Sequence, residues 1–226
     1  MSELFASPFF GIALSVLCFW AGVRIQKRIG LVVCNPLLIG IVLTIAVLLL
    51  FRIPYESYNE GGSIISMFLS PATACLAVAI YGKIQILKKN WLPILVGCTV
   101  GSFTSILSVW LLCRLFGLDE AMTVSLLPKS VTTPIAISIS GPRGGMVPIT
   151  VVAVLVTGVM GSVLAPLLIK LFRVKDPMTA GLAIGACSHA VGTSKALELG
   201  ETEGAMSGLA IGICGVVTVV LSLFLL

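Results

Sequence analysis

The stretch of sequence that decides this fold is Gly185-Ala186-Cys187-Ser188-His189-Ala190-Val191-Gly192-Thr193-Ser194-Lys195-Ala196, a run of small and polar residues between two apolar segments. It holds the only histidine of the chain. A charge near the middle of a bilayer costs about 2.5 to 3.5 kcal/mol, so a segment that keeps one usually faces a water-filled cavity or a substrate path. We therefore interpret this run as a functional site.

The composition around this run is that of an integral membrane protein. Of 226 residues, 58% are hydrophobic and 10% are charged, and the mean hydropathy is +1.16. A soluble domain is about 25% charged. A helix crosses the hydrocarbon with about 20 apolar residues, and eight segments qualify, at residues 7–23, 31–51, 61–81, 91–113, 121–140, 146–172, 178–198 and 204–226. They predict an all-α polytopic membrane protein with about six to eight transmembrane segments, as a single domain over residues 1–226.

Three clusters of basic residues lie in the loops between these segments. They are Arg24, Lys27 and Arg28; Lys83, Lys88 and Lys89; and Lys170, Arg173 and Lys175. The positive-inside rule places all three clusters in the cytoplasm. Eight alternating crossings would put the third cluster on the opposite side from the first two, so we expect the fifth segment to be re-entrant or unwound. The formal charge of +5 thus indicates orientation and not nucleic-acid binding.

The fifth segment carries its own break and is related to the seventh by a faint repeat. Its run Leu127-Pro128-Lys129-Ser130-Val131-Thr132-Thr133-Pro134 cannot form one smooth helix. At a constant offset of 60 residues, the matching pairs are Gly101-Ser102 with Gly161-Ser162, Val131 with Val191, Thr133 with Thr193, and Ala136 with Ala196. Matches of small residues also arise by chance in such a chain. A real duplication would make the two interrupted segments inverted repeats that mark a transporter's binding site.

The two breaks favour a site for a small anion. Thr133-Pro134 is typical of a helix start, and Thr193-Ser194 occupies the equivalent place in the seventh segment. Half-helices that begin at membrane depth would point free N–H groups at a common carboxylate or phosphate. The residues that we expect to bind it are Lys129, Ser130, Thr132, Thr133, Ser188, His189, Gly192, Thr193, Ser194 and Lys195.

Each ionisable residue in this set has a structural alternative. Either lysine could extend its ammonium to the membrane surface, and Lys195 could pair with Glu198 three residues further on. His189 is the candidate for proton coupling, because its ordinary pKa is about 6.5, but it could equally donate a hydrogen bond between helices. We expect no metal site and no cofactor, because no second histidine or carboxylate cluster completes a ligand set.

An enzymatic role is not expected. Ser188 adjoins His189, but neighbours in the chain rarely point at one another, and no Gly-x-Ser-x-Gly elbow is present. The last segment carries Gly200, Gly204, Gly208 and Gly212, a spacing that permits close approach of a neighbouring helix. That neighbour is either the seventh segment or a second subunit, and we expect a homo-oligomer.

Two motifs resemble the signature of the LrgB/CidB family. They are residues 127–136, which hold the Pro-Lys-Ser break, and residues 188–196, which hold the histidine, while Asn35-Pro36-Leu37 and the length also fit. The resemblance implies a multi-pass protein of the bacterial cytoplasmic membrane that acts with a small holin-like LrgA/CidA partner. Such pairs are described as controlling murein hydrolase activity and cell lysis. Plastid relatives translocate glycolate and glycerate, and some bacterial pairs are linked to pyruvate uptake.

Two functions follow from this resemblance and from the polar runs. The first is transport of small monocarboxylates of the glycolate, glycerate, pyruvate or lactate type, coupled to protons through His189. The alternative is a holin-like or antiholin-like membrane component that regulates murein hydrolases, in which the polar segments need bind no metabolite. The expected partners are a small carboxylate anion, the lipid bilayer and an LrgA/CidA-like protein, with no nucleic acid.

Overall fold

The computed structural model describes residues 7–30, 36–68, 71, 74, 75, 78, 81, 82 and 84–225, and these residues form helices and turns without a strand. The helices are α1 (Pro8–Ile29), α2 (Pro36–Leu50), α3 (Tyr55–Met67), α4 (Ile84–Lys89), α5 (Trp91–Leu115), α6 (Glu120–Leu126), α7 (Thr133–Ser140), α8 (Val147–Leu171), α9 (Pro177–Leu199) and α10 (Glu201–Leu225). A short 3-10 turn, Gly141–Arg143, follows α7.

The prediction of an all-α membrane protein is confirmed. Among the described helices, α1, α5, α8 and α10 are long and apolar enough to cross a membrane. The third predicted segment, residues 61–81, is only partly described, since α3 ends at Met67 and most of the segment beyond Phe68 lies outside the described residues. Asn35 and Lys83 also lie outside them. The total number of crossings stays a prediction.

The first compact unit of the chain is Met1–Ala74 and contains α1, α2 and α3. Glycines allow its helices to cross closely, because Gly11 of α1 packs against the backbone of Gly61 in α3. The Ser15 and Tyr58 hydroxyls, 2.9 Å apart, share a hydrogen bond beside this crossing. Close glycine crossings with hydroxyl contacts are the usual way in which helices associate inside a membrane.

The second unit, Cys75–Leu226, contains α4 to α10 and all the predicted site residues. Its largest buried cluster joins the N-terminal parts of α5 and α10 with the part of α9 that precedes His189. The members are Ile94, Cys98, Ala186, Met206, Leu209, Ala210 and Cys214, with Met178 and Leu182 packed against them. The starts of α5, α9 and α10 therefore lie at the same end of this unit, and α8 ends there too because a short loop joins it to α9.

Helix α9 folds back on itself at His189. The backbone there is non-helical, with φ 42° and ψ −141°. Ile184 and Ala196 belong to one buried cluster with Ala165 of α8, although a straight helix would hold two residues so spaced about 18 Å apart. Residues 177–188 and 190–199 are therefore two antiparallel arms with His189 at the tip. We call them the second hairpin, because a similar one precedes it in the chain.

The segment that contains α6 and α7 also folds back. Val124 of α6 and Ser140 of α7 both lie against Gly145, at the start of α8. The Ser125 hydroxyl accepts a 2.6 Å hydrogen bond from the backbone N–H of Met146 at the same place. Both outer ends of this segment thus lie together, and we call residues 120–140 the first hairpin.

The tip of the first hairpin is the non-helical stretch between α6 and α7. Ser130 shares a 2.6 Å hydrogen bond with Ser105 of α5, and Val131 packs against Val154 of α8. Pro134 occupies the first turn of α7, where its missing N–H leaves no helical bond unmade. The chain is thus non-helical at residues 127–132, between α6 and α7, and an interrupted transmembrane segment at this place stays a prediction.

In the second hairpin the break is not where the sequence placed it. Thr193-Ser194 was expected to start a half-helix, but the turn is at His189, and the Thr193 hydroxyl donates to the His189 carbonyl within the first turn of the returning arm. The offset of 60 residues pairs Thr133 with Thr193 and assumes that both segments restart as helices at these threonines. The second hairpin instead turns on a positive-φ residue without a proline.

Candidate functional site

The two hairpins reach Val154, in the first third of α8, from opposite ends of that helix. The first begins and ends beside Gly145, before the start of α8, and the second is joined to its end. Val131 and Ala136 of the first hairpin pack against Val154. His189 of the second hairpin forms a 2.9 Å hydrogen bond with the carbonyl of the same residue. Val154 is thus the point at which the tips converge.

The His189 hydrogen bond defines the state of its ring. A carbonyl oxygen can only accept, so Nε2 carries the proton and donates to Val154. The side chain is 4% exposed. Its Nδ1 forms no hydrogen bond with a residue that the structure describes. The ring therefore links two helices, as the structural alternative requires, and keeps one nitrogen free to bind a proton or a ligand.

Two glycines of α8 form the surface on which the second hairpin rests. A Cβ on Gly158 would lie 2.6 Å from Cε1 of His189, and one on Gly161 would lie 2.5 Å from Cβ of Ser188. Real Cβ atoms do not approach other carbons so closely, so any side chain here displaces the tip. Gly161 belongs to the repeat, but Gly158 and Val154 were missed, because an apolar helix gives no sign of which face receives a neighbour.

Lys129 lies at the tip of the first hairpin and is only partly exposed. Its ammonium is close enough to Cys187 and His189 to interact with both electrostatically. Among the residues that the structure describes, it forms neither an ion pair nor a side-chain hydrogen bond. The sequence predicted that Lys129 and Lys195 supply charge near one bound anion, and this role of Lys129 stays a prediction.

Lys195 has a different environment. Its Nζ lies 2.6 Å from Oε2 of Glu198, and the two side chains are 17% and 61% exposed. This is the intrahelical ion pair that the spacing of three residues allowed. Lys195 therefore carries a partner for its charge and lies in the returning arm, away from the tip.

The hydroxyl groups of the predicted set also divide between tip and arms. Thr193 shares a 2.7 Å hydrogen bond with Ser207 of α10, and Ser194 donates to the Ala190 carbonyl at 3.4 Å. These groups hold the returning arm in place. Gly192 packs against Ser188 inside the hairpin. Thr132, at the N-cap of α7, keeps a buried Oγ1 without a hydrogen-bond partner among the described residues.

In the described part of the chain, no three His, Cys, Asp or Glu side chains form a group that could hold a metal ion. The polar groups carried by the two hairpin tips are instead the Lys129 ammonium, the His189 imidazole and the buried Thr132 hydroxyl. Donors of this kind are suited to an anion.

Comparison with known proteins gives consistent matches along the chain. The model of the LrgB-like family matches residues 15–226. Proteins named antiholin-like protein LrgB from Bacillus mycoides (strain KBAB4), Bacillus cereus (strain B4264) and Bacillus anthracis (strain CDC 684 / NRRL 3495) are each 40% identical to it over 215 residues, which is 95% of this chain and 94% of each relative. No solved structure matches.

Proposed function

The chain belongs to the LrgB-like family, and from this membership we propose that it is an antiholin-like membrane protein. The observation that carries the proposal is 40% identity over 95% of the chain to proteins with that name. Similarity over nearly the whole length includes both hairpins. The apolar α1, α5, α8 and α10 provide the membrane part that such a role requires.

We propose that the protein acts in the bacterial cytoplasmic membrane, together with an LrgA/CidA-like partner, to restrain murein hydrolase activity and lysis. A bacterial strain that lacks its own LrgB-like and LrgA-like proteins tests this. Expression of this chain with a partner should slow autolysis and lower extracellular murein hydrolase activity on a zymogram. Unchanged autolysis at normal membrane levels of both proteins would exclude the role.

We propose further that the two hairpins are re-entrant and belong to inverted repeats. Within the second unit, α5, α8 and α10 would cross the bilayer, and each hairpin would enter and leave on one side. The supporting observation is that both tips reach Val154 from opposite ends of α8. Irregular backbone at membrane depth is tolerated only where protein or a water-filled cavity surrounds it, which is the case for two tips that meet.

Transport of small monocarboxylates is the second candidate function, and the meeting of the two tips favours it. Paired interrupted segments near the midplane form the substrate site in many secondary transporters. The proposed substrates are glycolate, glycerate, pyruvate and lactate, and the polar side chains that the tips offer are Lys129, Thr132 and His189. Under this proposal His189 is the proton-coupling group, through its free Nδ1.

Proteoliposomes separate the two candidates. Uptake of labelled pyruvate, glycolate or lactate that saturates and is blocked by unlabelled carboxylate would support a carrier. Leakage of unrelated solutes without saturation would support a holin-like pore and exclude the carrier. The assay should be run with the chain alone and with its LrgA/CidA-like partner, because a carrier that needs the partner gives uptake only in the second case.

We propose that the chain has no enzymatic activity. Ser188 packs against Gly161, and the protonated Nε2 of the neighbouring His189 is used by the Val154 carbonyl. The Nδ1 of His189 is free, but the Ser188 hydroxyl forms no hydrogen bond with it among the described residues, which supports the absence of an activated serine. A Ser188→Ala variant that loses a measurable hydrolase activity would contradict this.

We also propose that the protein is a homo-oligomer. Gly204 packs against Leu197 of the second hairpin, so the seventh segment is the neighbour there, whereas a Cβ on Gly208 would meet nothing within 4 Å. The face around Gly208 is open to another helix. Light scattering on the detergent-solubilised chain gives its mass, and a monomer under all conditions would exclude the proposal.

A further inference from the structure

We propose that Lys129 and His189 form a two-part binding site for a small monovalent anion, with one group supplied by each hairpin. The inference rests on the second candidate function above, because it takes the two tips as a ligand site. It adds that Lys129, and not Lys195, is the lysine that binds the anion.

The unpaired ammonium of Lys129 is the first reason. A partly buried charge loses part of its hydration, and in a folded protein such a charge is normally paired or hydrogen-bonded. Lys195 has Glu198 at 2.6 Å, whereas Lys129 has no such partner among the described residues and lies within electrostatic range of Cys187 and His189. An anion between the tips would supply the missing partner.

The second reason is the buried Oγ1 of Thr132, which forms no hydrogen bond with any described residue. A buried hydroxyl without a partner is uncommon and normally indicates an unseen ligand or water. Thr132 follows Lys129 by three residues and is the N-cap of α7, yet its side chain does not cap the helix. The hydroxyl and the first N–H groups of α7 are thus available to the same ligand.

The third reason is the repeat itself. At the offset of 60 residues that aligns the two hairpins, Lys129 is the equivalent of His189. Under the proposed inverted repeat, the two ionisable groups occupy the same position of the two copies, and each lies at a tip that reaches Val154. Nδ1 of His189 provides the donor on the second side when the ring is protonated.

Binding to the purified full-length chain in detergent tests the site. Pyruvate is titrated by calorimetry, with its neutral amide, pyruvamide, as the matched control for charge and with chloride as a competitor. Wild type should bind pyruvate and not pyruvamide. Lys129→Gln should weaken pyruvate binding by at least about tenfold, as expected for loss of a charged hydrogen bond, and His189→Gln should weaken it less. Lys170→Gln, a charge loss outside the hairpins, should leave the affinity within about twofold.

The outcomes are distinct. Equal affinity in wild type and Lys129→Gln, or equal binding of pyruvamide, would overturn the site. Displacement of pyruvate by chloride indicates a general small-anion site, and its absence indicates a carboxylate site; both support the proposal. Lys129→Arg keeps the positive charge and should therefore bind pyruvate more tightly than a folded Lys129→Gln does. If the chain binds pyruvate but gives no uptake in proteoliposomes, the binding site is supported and transport is excluded. If folded wild type does not bind pyruvate, the binding site is excluded and the antiholin-like role is unaffected.

Discussion

At the scale of single residues, the absence of a side chain at Gly161 decides how closely the second hairpin packs. Ser188 occupies the space in which a Cβ on Gly161 would lie. Extra atoms in a filled interior cost about 1 to 3 kcal/mol. At an unhindered helix position, alanine stabilises the helix by about 1 kcal/mol relative to glycine. The sign of the change in unfolding free energy on a Gly→Ala substitution therefore shows whether the position is tightly packed.

Gly161→Ala should therefore lower the thermal midpoint of the chain in detergent and reduce its activity. Gly101→Ala is the matched control, because a Cβ there would lie at an ordinary van der Waals distance of 3.5 Å from Cβ of Ala186, and its midpoint should stay the same or rise. A midpoint for Gly161→Ala equal to that of Gly101→Ala would mean that the hairpin does not rest on α8 at Gly161.

The Lys195 and Glu198 pair permits a second test at this scale. An ion pair with one exposed partner, 61% exposed here, is worth about 0.2 to 1 kcal/mol. A double-mutant cycle with Lys195→Met and Glu198→Gln should give a coupling of that size in the free energy of unfolding. Pyruvate affinity should change in neither variant. Loss of affinity in Lys195→Met alone would instead assign Lys195 to the anion site.

Some of these residue roles could be predicted from sequence and some could not. Lys129 and the histidine were found because ionisable groups are rare in an apolar chain. The pairing of Lys195 was foreseen only as an alternative, because spacing shows that Glu198 is within reach but not which rotamer wins. Thr132 and Thr193 look alike in sequence, yet only tertiary contacts give Thr193 a partner in Ser207 and leave Thr132 without one among the described residues.

At the scale of elements, the start of α9 is fixed by a cap outside the membrane segments. The Asp176 carboxylate accepts hydrogen bonds from the backbone N–H of Thr179 at 2.9 Å and from its hydroxyl at 2.5 Å. These bonds favour the ionised form and hold the pKa of Asp176 below its usual value. The same carboxylate satisfies one of the free N–H groups of the helix.

The cap predicts a pH dependence with a definite sign. Because the folded pKa of Asp176 lies below the unfolded value of about 3.9, its stabilisation is complete above that value and is lost as the pH falls through the folded pKa. Asp176→Ala should lower the thermal midpoint at pH 7. Asp176→Asn keeps a capping oxygen without titrating, so its midpoint should respond less to acid than that of wild type. Identical acid profiles for wild type and Asp176→Asn would exclude Asp176 as the titrating group.

The two hairpins differ in how far sequence predicts them. The first contains Pro128 and Pro134, and proline interrupts a helix for local reasons. The second turns at His189, a non-glycine residue with φ 42°, which no local rule favours. Contacts made elsewhere hold it there, namely the bond to Val154 and the glycine surface of α8. Such a turn is a property of the tertiary structure and was therefore misplaced by four residues.

At the scale of the whole second unit, the hairpins change which loops share a side. Because each hairpin returns to its own end, the end that holds the starts of α5 and α9 also holds most of the loop cations. These are Lys88, Lys89, Lys170, Arg173 and Lys175, against Arg114 and Arg143 at the opposite end. The positive-inside rule then predicts that the first end faces the cytoplasm, because five of these seven cations lie there.

Three topologies differ at defined positions, and this gives the last prediction. Eight alternating crossings put Lys175 outside, whereas a chain in which only the first hairpin is re-entrant puts Lys175 inside and also the C-terminus inside. Two re-entrant hairpins put Lys175 and Glu201 inside and the C-terminus outside.

Cysteine labelling in a cysteine-free background and a C-terminal reporter measure these positions. Lys175→Cys and Glu201→Cys should be protected from an impermeant maleimide in intact spheroplasts and react after the membrane is opened, while Arg143→Cys should react from outside. Alkaline phosphatase fused after Leu226 should be active, since that enzyme folds only outside the cytoplasm. Activity of the reporter together with outside labelling of Lys175→Cys would establish eight crossings, and an inactive reporter with inside Lys175→Cys would leave only the first hairpin re-entrant. Either result would remove the inverted-repeat arrangement on which the meeting of the tips depends.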